Sequence, residues 1–168
     1  MPSDFTITRV AARDAGHDRL LRLEARGADG RLLGTAVARR APMAIAYFEA
    51  LEQGMPPVDY AAELDSVAFL DHVEVAEAER RRGIATALLA DLESRLLERG
   101  TRILFGGIAR GGETVAVAAF FENRGFSVLP AGERLPGFFG RRWTLPHTSE
   151  PHNWVFARLR GTGAPSRD

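Results

Sequence analysis

Glu79-Arg80-Arg81-Arg82-Gly83-Ile84-Ala85-Thr86 stands between a strand pattern, Val67 to Val75, and a run of Ile84, Leu88, Leu89, Leu92 and Leu96 spaced for one helix face. Strand, tight turn, helix start is an order suited to anion capture. A helix start offers N–H groups without intrahelical acceptors and the positive end of the peptide dipoles, so a phosphate placed there is held by the backbone itself. Gly83 permits close approach, Ala85 keeps the wall low, Thr86 offers a hydroxyl, and Arg80, Arg81 and Arg82 bring charge to the same turn. A pyrophosphate fits such a turn. Spacing alone does not separate this reading from a solvated helix start in which Gly83 is only a turn residue.

Outward from the turn, Gly100 is placed to end the helix, and a β-run from Arg102 to Ile108 follows. Gly111-Gly112 then marks a turn before a second helix over Thr114 to Arg124, with Gly125 as its stop and Phe126 to Leu129 as a further strand. On the N-terminal side, Phe5 to Val10 alternates weakly. Arg19 to Arg26 and Arg31 to Arg39 flank Gly27-Ala28-Asp29-Gly30, whose Asp-Gly step favours the positive φ of a hairpin. Residues 42 to 53 have helical composition until Gly54-Met55-Pro56-Pro57 breaks the chain. Beyond a Pro/Gly-rich loop holding Phe138 and Phe139, Trp154 to Leu159 reads as a final strand. The expected organisation is an α/β mixed-sheet domain over residues 1–160 with a frayed tail at 161–168.

Composition narrows the function classes. The 168 residues suit one domain, and 22 Lys and Arg balance 22 Asp and Glu. Zero formal charge, with Glu77 and Glu79 beside the arginine run, argues against a nucleic-acid surface. With no cysteine, disulfides, thiolate metal ligands and thiol nucleophiles are excluded. His17, His147 and His152 are too scattered to suggest a metal site. The longest wholly apolar run, Val115 to Phe121, is far shorter than the ~20 residues a membrane helix needs. Met-Pro-Ser-Asp-Phe lacks the basic-then-apolar order of a signal peptide, so a cytoplasmic protein is expected.

Two motifs in order carry a family resemblance over residues 65 to 130. Arg80-x-x-Gly83-x-Ala85, behind an apolar strand and ahead of an amphipathic helix, resembles the R/Q-x-x-G-x-G/A acyl-CoA motif of the GNAT acetyltransferases. Ala118-Ala119-Phe120-Phe121-Glu122-Asn123-Arg124-Gly125-Phe126 is similar to that family's A-x-x-x-Y-E-x-x-G-F segment. The resemblance implies a GNAT-like mixed sheet whose two central parallel strands splay apart, flanked by helices. Acetyl-CoA is the implied cofactor, its pantetheine arm pairing near Val73, Glu74 and Val75 and its pyrophosphate on the amides of Arg81 to Thr86, that is Arg81, Arg82, Gly83, Ile84, Ala85 and Thr86. The implied partner is an amine acceptor, on a small molecule or a protein, and family analogy adds a homodimer.

Aminolysis of a thioester asks for a neutral amine, an oxyanion donor and a proton for the leaving thiolate. The family commonly places a tyrosine where Phe121 stands, and a phenyl ring has no proton to give. A thiol pKa of ~8.5 makes thiolate an acceptable leaving group, so slower turnover is expected rather than none. Water, Thr114, Tyr47 or Tyr60 can substitute as donors. The same departure opens a second reading, an acyl-CoA sensor that binds without transfer. For the base, Glu74 is favoured over His72, and strand alternation sets both on the opposite side from Asp71 and Val73. The family places two short helices after its first strand. Here a hairpin comes first, which gives the acceptor wall to Ala41 to Tyr60 and the Phe138-Phe139 loop.

Overall fold

The computed structural model describes residues 4–10, 19–40, 66–108, 111–130 and 153–158. Along them lie β1 (Phe5–Val10), β2 (Leu20–Gly27), β3 (Leu32–Arg40), β4 (Val67–Val75), α1 (Ile84–Glu98), β5 (Ile103–Ile108), α2 (Thr114–Glu122), β6 (Ser127–Leu129) and β7 (Asn153–Arg158). The helix expected over 42–53, the aromatic loop at Phe138 and Phe139, and the tail at 161–168 fall outside the described residues.

The strands form one mixed sheet in the order β1-β2-β3-β4-β5-β7-β6. β4 and β5 are parallel, joined through α1, and the remaining neighbours are antiparallel. The β2–β3 hairpin turns where Asp29-Gly30 predicts it. Gly30 takes φ 78°, and its N–H donates to the Gly27 carbonyl at 2.9 Å. The Asp29 carboxylate accepts the Arg31 N–H at 3.0 Å, an Asx-type bond that fixes the return. The chain's own β7 fills the place between β5 and β6.

One face of the sheet is covered by α1. Leu88, Leu89, Leu92 and Leu96 are fully buried and Ile84 nearly so, against Leu21, Leu23, Ala36, Ala38, Ala68, Leu70 and Leu104 of β2 to β5. Burying each such side chain is worth about 1.5–3 kcal/mol, so this stripe anchors the helix whose first turn forms the site. The central strands supply small residues under the helix. A Cβ built on Gly34 of β3 would lie 2.7 Å from the Glu74 carbonyl oxygen and 3.2 Å from Leu88 Cδ1 and Val75 Cγ2. α1 closes with the Thr101 and Gly100 N–H groups returned to the Leu96 and Leu97 carbonyls, both at 2.9 Å. α2 ends in the same way at Glu122, short of the expected Arg124, because the Phe126 N–H turns back to the Phe121 carbonyl at 3.1 Å.

Two irregularities of β4 shape the site. Its parallel pairing with β5 runs from Val67↔Ile103 to Leu70↔Gly106 and stops, although β4 continues to Val75 and β5 to Ile108. The strands fork there. Against β3, the register holds from Gly34↔Val75 to Val37↔His72 and then shifts so that Ala38 pairs with Leu70, leaving Asp71 as the extra residue of a β-bulge. The bulge overturns the alternation expected for Asp71. Its carboxylate accepts from Arg39 Nη2 at 3.2 Å, and Arg39 pairs with Phe69, on the same face as His72 and Glu74.

Candidate functional site

The turn into α1 owes its shape to two left-handed residues. Arg81 takes φ 64° and Gly83, the N-cap, φ 79° with ψ 3°. Such alternation points successive N–H groups into one concavity, a known anion cradle. The first intrahelical bond, Ala87 N–H to the Gly83 carbonyl at 2.9 Å, leaves the N–H groups ahead of it without helix acceptors, and Gly83 makes no side-chain cap. A Cβ built on Gly83 meets nothing within 4 Å, so the space beside the N-cap is open. The donors, the open space and the positive dipole fit a pyrophosphate.

The three arginines of this turn are not equivalent. Arg80 Nη1 lies 2.9 Å from Glu113 Oε1 at the start of α2, an exposed pair. Arg82 binds Glu79 through Nη1 and lies 3.5 Å from Asp4 through Nη2. Arg81, exposed, has no ion-pair partner among the described residues, which leaves its guanidinium available to an incoming anion.

Beyond the fork, β4 offers main-chain groups to a ligand. The Ala76 N–H bonds to the Leu33 carbonyl at 2.9 Å, and the Glu74 carbonyl points at Gly34, so both residues turn their backbone toward β3. Alternation then turns Val73 and Val75 the other way, into the fork. The Glu74 and His72 side chains stand on the face opposite α1, in cross-strand rows with Thr35 and Val37. Glu24, Thr35 and Glu74 form one such row. Glu24 is held by Arg22 at 3.1 Å and Arg26 at 2.7 Å, and Asp71 by Arg39. The Glu74 carboxylate, exposed, has no ion-pair or hydrogen-bond partner among the described residues.

Phe121 packs into the core, 8% exposed, edge-on to Phe120 and Phe126 with ring centroids 5.3 and 5.2 Å away. The Thr114 hydroxyl accepts the Gly111 N–H at 2.8 Å and donates to the Gly111 carbonyl at 2.7 Å. Its proton is therefore committed to the turn that opens α2. Among the described residues, no group of three or more His, Cys, Asp or Glu gathers as for a metal ion.

The model of the acetyltransferase (GNAT) family matches residues 9–126, from the end of β1 through both motifs to Phe126, just ahead of β6. The chain belongs to the GNAT family. Solved structures with this fold include the IAA acetyltransferase of Bacillus cereus, 16% identical with TM-score 0.56 over 92% of this chain and 99% of that one. The ribosomal-protein-S18-alanine N-acetyltransferase of Escherichia coli is 17% identical, with TM-score 0.52 over 89% and 76%. The Salmonella typhimurium protein yncA, solved with its cofactor acetyl-CoA, is 17% identical, with TM-score 0.54 over 88% and 69%. At such identities the likeness speaks for the GNAT fold alone. No curated protein matches the sequence significantly.

Sequence reasoning passes over one residue of this GNAT site. Glu79, 5% exposed, divides its carboxylate between Arg31 Nη2, 2.5 Å from Oε1, and Arg82 on Oε2. The Arg31 hydrogen bond holds its pKa below the ordinary 4.5, with Arg82 adding to the effect and burial opposing it. A lowered folded pKa means stability that is complete above the unfolded value, about 4.5, and is lost as pH falls through the folded one. Urea midpoints measured from pH 7 down to pH 3 are expected to fall less steeply in Glu79→Gln than in the wild type, because one carboxylate that must be protonated is gone.

Proposed function

We propose that the protein transfers an acetyl group from acetyl-CoA to a primary amine of a small molecule or a protein. The observation that carries the reading is the conjunction of the left-handed turn at the start of α1 with the fork between β4 and β5. Bound there, acetyl-CoA would supply an electrophilic carbonyl and a thiolate leaving group. The N–H groups of Gly83 to Thr86 and the side chain of Arg81 would hold the pyrophosphate. Val73 and Val75 would pair with the pantetheine arm as with an added strand. A β4 N–H at the fork would donate to the thioester oxygen as negative charge develops on it. Glu74, with His72 as the second choice, would take the proton that the amine releases as the C–N bond forms and the C–S bond breaks. Phe121 gives no proton, so the departing thiolate would draw one from water. A homodimer, by family analogy, and the cytoplasmic placement expected from the sequence belong to the same proposal.

Because the chain has no cysteine, a thiol-reactive dye reports only CoA released from the thioester. Acetyl-CoA incubated with the protein and a panel of primary amines is expected to release thiol with at least one of them. Binding of acetyl-CoA with no release across the panel would favour the second reading, an acyl-CoA sensor, which the buried Phe121 ring and the committed Thr114 hydroxyl support. Phe121→Tyr separates the two further. In an enzyme the restored phenol should raise kcat about tenfold, less than the ~100-fold or more of a strong general acid, because thiolate leaves readily without help. In a sensor it should restore nothing.

A further inference from the structure

Local preference does not explain the shape of the turn before α1. Arg81 sits at φ 64°, where a side chain other than glycine costs about 1–2 kcal/mol, and Gly83 contributes no capping side chain. Something else must hold the turn. Its first half is tied by main chain, with Ala76 N–H on the Leu33 carbonyl at 2.9 Å and Glu79 N–H on the Ala76 carbonyl at 2.8 Å. Its second half is tied by one buried side chain. The Glu79 carboxylate reaches forward over the left-handed Arg81 to Arg82 and back to Arg31, in the β2–β3 hairpin. Asp29, 3.8 Å from Arg31 Nε, and Asp4, on Arg82, complete the charges that face this cluster from the hairpin and from the start of β1.

We propose that Glu79 is a positioning residue for acyl-CoA, clamping Arg82 and Arg31 so that the Gly83 to Thr86 amides stay converged on the pyrophosphate; this rests on the acyl-CoA reading above. The clamp also decides which arginine meets the ligand. Arg82 is drawn toward the hairpin and Asp4, so that Arg81 and the amides, rather than Arg82, face the phosphates. Arg31, in a hairpin outside both family motifs, becomes part of the cofactor site by this route.

The test is titration calorimetry of CoA and acetyl-CoA on the wild type, Glu79→Gln, Glu79→Asp and Arg31→Ala, each checked to be folded at the assay temperature. Glu79→Gln is expected to raise both Kd values about tenfold, as removal of a supporting residue behind a binding group commonly does. Glu79→Asp should fall between, and Arg31→Ala should shift Kd in the same direction. In the unliganded protein, the amide resonances of Gly83 to Thr86 should move with Glu79→Gln. Leu96→Ala, which loosens the far end of α1, should lower stability and leave Kd at its wild-type value, separating positioning from general destabilisation. A wild-type Kd in Glu79→Gln, or a tighter one from a released Arg82, would overturn the inference while the acyl-CoA reading stands. No CoA binding by the wild type would overturn both.

Discussion

Gly83→Asp is expected to weaken acetyl-CoA binding at least about 100-fold, a loss of about 2.7 kcal/mol, with little change in stability. Aspartate is among the few side chains that tolerate the left-handed region, so φ 79° does not forbid it, and the space a Cβ would enter is open. Its carboxylate is also a good partner for the first-turn amides, a capping role that Gly83 leaves unfilled. The substitution therefore satisfies from within the same N–H groups that the pyrophosphate needs and sets a negative charge beside them. Calorimetry with acetyl-CoA and CoA, paired with a melting curve, checks both halves. Wild-type affinity in the variant would mean that the turn is not the phosphate site.

Gly34→Ala is expected to have the largest effect on stability. The added methyl would lie 2.7 Å from a backbone oxygen, that of Glu74, and 3.2 Å from Leu88 and Val75 side-chain carbons, so strand, partner strand and helix would all have to part. Overpacking a tight core costs about 1–3 kcal/mol, and a backbone oxygen held in a sheet is the neighbour least able to yield. For a chain of 168 residues, about 3 kcal/mol is a fall of roughly 6–12 °C in Tm. Thermal unfolding followed by circular dichroism measures it. An unchanged Tm would show that β3 can slide away from β4 without loss.

Much of this was legible because its causes are local. Gly83 predicts a turn open to close approach, Asp29-Gly30 a hairpin, and the Leu88, Leu92, Leu96 spacing a buried face, and each formed where its own residues asked for it. What was hidden depends on partners distant in the chain. The bulge at Asp71 exists only in the register of β4 against β3, and it carried Asp71 to the face that alternation denied it. Glu79 looks like one acid beside an arginine run until the hairpin brings in Arg31, 48 positions away. The fork was expected from family resemblance, yet which main-chain groups open into it follows from the Ala76 bond to Leu33, which no periodicity reveals.

The place of β7 has a consequence for biosynthesis. Among the described residues β6 pairs with β7 alone, and β7 is also what covers the outer edge of β5. A ribosome makes β6 well before β7, so through that interval the nascent chain carries a lone strand and an unsealed sheet edge, both open to wrong pairing with other chains. Only when β7 clears the exit tunnel can it insert between the two. A chain stalled or cut before Asn153 would leave the side of the sheet next to the fork open, a target for holdase chaperones or aggregation rather than for CoA.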